Sequence, residues 1–164
     1  MISRRSMFIG GAAAVLGGWY VWRTPASAKS DKTFEITKTE EEWRKVLSEK
    51  EFYVLRKSGT ERAYSSPLND IEAAGLYHCA GCDLPLYSSK TKFDSGTGWP
   101  SFWAPLDDAV ETSVDYYIGY PRTEVHCRRC GGHLGHIFDD GPAPTGKRHC
   151  INGVALKFKA GKPA

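Results

Sequence analysis

Five cysteines are the first chemistry this chain presents. Four fall into two Cys-x-x-Cys pairs, Cys79/Cys82 and Cys127/Cys130, a spacing that lets one turn offer two thiolates to a tetrahedral metal. Cys150 is left over, in the stretch Arg148-His149-Cys150-Ile151-Asn152. A thiol beside a cation is biased towards thiolate, so an odd cysteine near Arg148 in a chain that also carries His126, His133, His136 and His149 is a candidate nucleophile. The plainer alternative is a small buried core residue.

Each Cys-x-x-Cys turn would supply two sulfurs, and four thiolates fill the coordination sphere of a single structural Zn2+, leaving no position for a reacting water. About 44 residues separate the pairs, beyond the 15–20 of a compact zinc ribbon, so the metal would staple distant parts of one domain. Two disulfides or two redox-active pairs remain open as alternatives. The glycine-rich turns Cys-Ala-Gly-Cys and Cys-Arg-Arg-Cys-Gly favour metal knuckles, since neither pair precedes a helical pattern.

The elements that must position these residues belong to a chain of 164 residues, 41% hydrophobic, long enough for one domain with its own core. Its formal charge of +3 comes from Arg4, Arg5 and Arg23 in the first 28 residues, which hold no Asp or Glu. The remaining 19 basic residues balance 19 acidic ones. No basic cluster marks a nucleic-acid surface, and no nucleic-acid partner is expected. Residues 1–28 read as a twin-arginine-type signal peptide: Arg4-Arg5 precedes an apolar run over 7–22, and Ala26-Ser27-Ala28 offers a cleavage site. Export to the periplasm is the expectation, with an uncleaved membrane anchor as the alternative.

Residues 29–38 read as a flexible linker and 39–162 as the domain. Thr39-x-x-Glu42 is a capping box, with Trp43, Val46 and Leu47 at helical spacing, so a helix of about ten residues should start near Glu40. A second helix is predicted over 49–57. From Gly75 the pattern changes to short runs rich in Tyr, Val, Phe and Ile, predicting strands near 76–79, 84–87, 110–117, 123–127, 135–139 and 154–159. The fold class is therefore mainly β (α+β), antiparallel, with short N-terminal helices.

Three clusters concentrate the remaining specialised residues: 92–103, containing Gly98-Trp99-Pro100; 132–142, containing Gly132-His133-Leu134-Gly135-His136; and 146–152 around Cys150. Together with Arg56…Gly59-Thr60-Glu61 and the cysteine pairs, they resemble the methionine sulfoxide reductase B family over about residues 40–160. The resemblance implies two antiparallel sheets in a tent-like arrangement and an enzyme, peptide-methionine (R)-S-oxide reductase, acting as a monomer on oxidised proteins or peptides with a thioredoxin-like or other thiol reductant.

Each matched residue has a chemical reason to be there. Cys150 would attack the sulfoxide sulfur as a soft thiolate and become a sulfenic acid, with Arg148 on the same strand face lowering its pKa. His133 and His136 would deliver protons to the oxygen, with Asp140 fixing their tautomer or orientation and Asn152 adding a hydrogen bond. Trp99 would wall the substrate methyl, while Phe102 and Trp103 read as packing. Two departures stand out. His149 occupies a place often held by Tyr or Phe, and Thr97 one where many members carry a resolving cysteine, so Cys150 should depend on an external thiol. A zinc-knuckle binding module without catalysis is the rival reading, which has no use for Cys150, Arg148 and the histidine pair.

Overall fold

The computed structural model describes residues 33–164; the expected signal peptide and the first part of the expected linker lie outside them. Two consecutive capping boxes start the two helices. Thr39 accepts from the Glu42 amide while Glu42 reaches back to the Thr39 amide at 2.8 Å, opening α1 (Glu40–Val46). Ser48 and Glu51 repeat the arrangement for α2 (Glu49–Lys57). The second box explains why α1 stops at seven residues where ten were expected: Leu47 turns extended so that Ser48 can begin a new helix. In so short a helix only Trp43 and Leu47 face the core, and Val46, expected beside them, is 56% exposed.

Residues 34–36, expected as linker, are packed. The Ile36 amide bonds to the Arg129 carbonyl at 3.0 Å, and Phe34 sits edge-on to His126 beside Gly131. No helix among the described residues is long and apolar enough to cross a membrane.

Nine strands follow: β1 (Gly75–Cys79), β2 (Pro85–Ser88), β3 (Lys92–Phe93), β4 (Ser101–Phe102), β5 (Val110–Asp115), β6 (Arg122–Cys127), β7 (His133–Phe138), β8 (Arg148–Ile151) and β9 (Leu156–Ala160). They form two antiparallel sheets, ordered β2-β1-β9 and β3-β4-β8-β7-β6-β5. The six expected strands are all present within a few residues. β3, β4 and β8 were not expected; the first two have only two residues each and are too short to show a period.

One face of the larger sheet packs into the core through Phe102, Val125, Leu134 and Ile151. Phe102 stacks on Tyr87 of the smaller sheet, ring centroids 4.4 Å apart. His149 lies on this inner face, directly opposite Phe102 in the β4–β8 pair, with Nδ1 3.1 Å from the Tyr87 hydroxyl. It therefore fills the place of an aromatic core residue, and it points away from Cys150.

Burial holds the His149 imidazole at about 4, well below the ordinary histidine range. An unfolded chain takes up this proton near 6.5 while the folded chain refuses it until about 4, so stability falls as pH drops through that window. The loss amounts to roughly 3 kcal/mol. Denaturant melts between pH 7 and 4 should show this extra acid sensitivity, and His149→Phe should remove most of it. Parallel pH profiles for the two proteins would assign the sensitivity elsewhere.

Candidate active site and metal centre

Residues directly opposed across an antiparallel pair project to one face. Cys150 on β8 is opposed by Ser101 on β4 and by His136 on β7; His136 opposes Glu124 on β6, and Glu124 opposes Ser113 on β5. One straight row thus carries Ser101, Cys150, His136, Glu124 and Ser113 on the face away from the core. Two residues along, Arg148 opposes Phe138 and Arg122 opposes Asp115 on that same face. Apart from His133, the polar strand residues of the candidate site stand in these rows.

His133 joins them only because β7 is irregular. Residues three apart on a regular strand face opposite ways. Here β6 advances one residue, Val125 to His126, while β7 passes from Gly135 to His133, leaving Leu134 as an extra residue in a bulge. The bulge turns His133 onto the face of His136, with ring centroids 5.4 Å apart. Asn152 clamps it, because its backbone amide and its side-chain Nδ2 both donate to the Leu134 carbonyl, at 2.9 and 3.0 Å. The next residue is Gly135 because β8 crosses so near that a Cβ would collide with the Cys150 carbonyl oxygen.

The acids that orient the histidines are not the expected one. His133 Nδ1 lies 2.6 Å from Glu124 Oε1, and His136 Nε2 lies 2.8 Å from Asp115 Oδ2. Asp140, expected to do this, instead grips Arg148 through two bonds of 2.8 and 2.9 Å. That pairing lowers the Asp140 carboxyl and raises the Arg148 guanidinium, which also stacks on Phe138 at 4.5 Å. Burial works against ionised Glu124, but the hydrogen bonds from His133 and Ser113 outweigh it and hold the carboxyl below its usual range. Asp115 follows the same balance: burial pushes it up, while the Tyr117 amide, His136 and Arg122 bring it down to about 2. For His136 burial wins over Asp115, and the imidazole is lowered. His133 Nε2 is buried and has no hydrogen-bond partner among the described residues. It is the ring atom left to serve a substrate.

Asn152 was expected to add a hydrogen bond at the site. Its Oδ1 instead accepts from the Glu61 amide at 2.9 Å, so both ends of the amide are committed to the chain. Glu61 also accepts from Trp99 Nε1 at 3.1 Å through its carbonyl, and its carboxylate caps the Gly153 and Val154 amides. This residue ties the Trp99 loop to the end of β8, leaving the Trp99 ring half-buried just ahead of β4.

Away from this face, the Cys79, Cys82, Cys127 and Cys130 sulfurs all lie within 4.8 Å of one another. Cys79–Cys130 and Cys82–Cys127 are 3.8 and 3.5 Å apart. A tetrahedron with metal–sulfur bonds of about 2.3 Å has edges of roughly 3.8 Å, so the four thiols fit one ion. A disulfide needs about 2 Å. The turn at Gly131 requires its left-handed φ of 64°, and Arg56 donates to the Cys130 carbonyl at 2.9 Å, docking α2 on the knuckle.

Residues 47–160 match the SelR domain model. The chain is 54% identical over 127 residues to "Peptide methionine sulfoxide reductase MsrB" of Pseudomonas putida (strain W619), covering 76% of this chain and 95% of that protein. It is 54% identical over 125 residues to the protein of the same description from Methanosarcina barkeri, covering 76% and 88%. This chain belongs to the methionine sulfoxide reductase B family. A rice relative, "Peptide methionine sulfoxide reductase B1, chloroplastic", is 52% identical over 127 residues, 77% of this chain but 59% of that longer protein.

At the position where the family resemblance suggested a resolving cysteine stands Thr97, whose side chain lowers the Cys150 thiol. Behind it, Ser95 Oγ is 2.8 Å from Thr97 Oγ1 and 2.7 Å from Ser101 Oγ, and Ser101 donates to the Trp99 carbonyl at 3.1 Å. Reading residue types named Cys150, Arg148 and both histidines, which the sheet sets on one face, but gave no role to Glu61 and did not single out Asp115, Glu124 or the hydroxyl chain. The available signal was the period of two along β5 and β6, with acids at 115 and 124 where a hairpin register would set them against the histidines.

Burial raises the Cys150 thiol above its ordinary range; Arg148 and Thr97 pull it back, and Asp140 opposes them. Alkylation of Cys150 by iodoacetamide should therefore speed up with pH through a midpoint above the ordinary thiol value, and Arg148→Met should move it higher still. A midpoint below the free-cysteine value would reverse this description of the thiol.

Proposed function

We propose that this chain reduces methionine R-sulfoxide in peptides and proteins to methionine, with Cys150 as nucleophile. The observation that carries the reading is the row itself: Cys150 stands in register between His136 and Ser101, beside a histidine whose Nε2 is buried and unpartnered. Family membership supports the reaction class, and reductases divide the two sulfoxide epimers between separate enzymes.

The Cys150 thiolate attacks the electrophilic sulfur, forming an S–S contact that collapses as oxygen passes to the cysteine sulfur. The sulfoxide leaves as the thioether and Cys150 becomes a sulfenic acid; the thiol's own proton accounts for its O–H. Oxygen gains negative charge during this step and needs a donor. His133, with Nδ1 committed to Glu124, presents Nε2–H when protonated, and the carboxylate behind it compensates the charge. His136, fixed by Asp115, completes the polar wall, and Trp99 supplies the apolar one. Two equivalents of an external thiol then return Cys150 to the thiol, releasing water and a disulfide.

Zinc is the metal that four cysteine thiolates in this arrangement suit best, and its role is structural because the quartet leaves no open ligand position. The twin arginines at Arg4-Arg5 and the Ala26-Ser27-Ala28 site support export as a folded chain, which would let the thiols take up metal in the reducing cytoplasm first.

The test uses separated R and S epimers of a blocked methionine sulfoxide with dithiothreitol as reductant. The R epimer should be consumed and the S epimer spared. Cys150→Ser should abolish the reaction while keeping metal and fold, and His133→Gln should slow the single-turnover step by about 10²–10⁴. Retained activity in Cys150→Ser would place the nucleophile elsewhere, and an unchanged single-turnover rate would remove His133 from the chemistry.

A further inference from the structure

The turn that carries Cys127 and Cys130 is held by three residues that precede both helices, and each holds it by a different force. The Ile36 amide donates at 3.0 Å to the carbonyl of Arg129, which lies between the two cysteines. The Phe34 ring stands edge-on to His126, with ring centroids 5.7 Å apart, and so near Gly131 that a Cβ there would collide with it. The Glu35 carboxylate pairs with Arg128 and, at 3.5 Å, with Arg129. Arg129 in turn donates to the Cys82 carbonyl at 3.4 Å, so the contacts that begin at Glu35 extend to the first knuckle.

We propose that residues 34–36 are a strap that latches the β6–β7 knuckle shut and so sets how slowly a metal leaves the cysteine quartet. The inference rests on the metal reading of the quartet and is independent of the reductase reading. Cys79, Cys127 and Cys130 are buried, so a competing chelator reaches the sulfurs only after a turn has opened locally. Opening the second knuckle swings residues 128–131 away from the strap. That movement breaks the Ile36–Arg129 bond, unseats Phe34 from Gly131 and parts Glu35 from both arginines. The strap therefore disfavours the open turn without supplying any ligand itself.

The three contacts do not weigh equally. The Glu35 side chain is 55% exposed, and ion pairs in water contribute little. Phe34 is half-buried and returns apolar surface to water when the turn opens, so its packing carries most of the effect. Slow escape matters because thiolates freed from a metal can pair as disulfides, after which the ion has no site to return to.

The experiment loads the full chain with Zn2+, adds excess chromogenic chelator under reducing conditions and follows the rate of metal release. Phe34→Ala should start with the same metal content and far-ultraviolet circular dichroism and release its metal about tenfold faster. Glu35→Gln should speed release by under about threefold. Ile36→Pro, which deletes the amide donor to Arg129, should act in the same direction as Phe34→Ala and serves in its place if that variant does not fold. Global unfolding rates from denaturant jumps on the loaded proteins supply the reference. Release from the variants that is no faster than from the unmodified chain overturns the proposal. Faster release that only equals each variant's global unfolding rate also overturns it, since the segment would then support the fold and latch nothing. An unmodified chain that takes up no metal overturns the metal reading and the strap together, whereas bound metal with equal release rates overturns the strap alone.

Discussion

Four sulfurs join the two sheets. Cys79 and Cys82 bracket the turn between β1 and β2 in the smaller sheet; Cys127 and Cys130 bracket the turn between β6 and β7 in the larger one. Much of the candidate site hangs from that second hairpin: Glu124 on β6, His133 and His136 on β7, and the bulge at Leu134 a few residues beyond the knuckle. A Zn2+ held by four such thiolates would contribute on the order of 10–16 kcal/mol to folding, as large as the net stability of an ordinary domain. A metal in the quartet would act on the candidate site only indirectly, by fixing the register that sets the histidines beside Cys150.

Within that frame, side chains of unremarkable type carry the precision. Asn152 holds the bulge, Glu61 holds Asn152 and the Trp99 loop, and each histidine has its own carboxylate. The separate acids matter electrostatically. Asp140 is the partner of Arg148, whereas the cation that acts on His136 is Arg122, which helps burial lower that imidazole. Burial still leaves the Cys150 thiol above its ordinary range.

Much of this was readable from residue types, because capping boxes, Cys-x-x-Cys turns and β-rich runs are local signals. Both helices and six of nine strands follow from them. What stayed hidden depends on pairing between distant segments. The conversion of a three-residue spacing into a shared face needs an extra residue at 134 that becomes visible only against β6. Glu124 and Asp115 look like ordinary exposed strand acids until the register sets them beside the histidines. Asp140 misled because it follows the histidine motif closely in sequence, whereas its partner Arg148 arrives from the next strand. His149, a departure from the family pattern next to the nucleophile, turned out to face the core, since adjacent residues on a strand point to opposite sides.

The central claim is a division of labour among five cysteines: one reacts and four hold metal. Mass spectrometry after a single turnover on methionine R-sulfoxide, without reductant and with metal quantified in parallel, tests it most directly. Thr97 provides no sulfur and the quartet is tied up, so the account expects one added oxygen trapped as a sulfenic acid on Cys150 with the metal retained. An internal disulfide to a knuckle cysteine, with stoichiometric metal release, would contradict it.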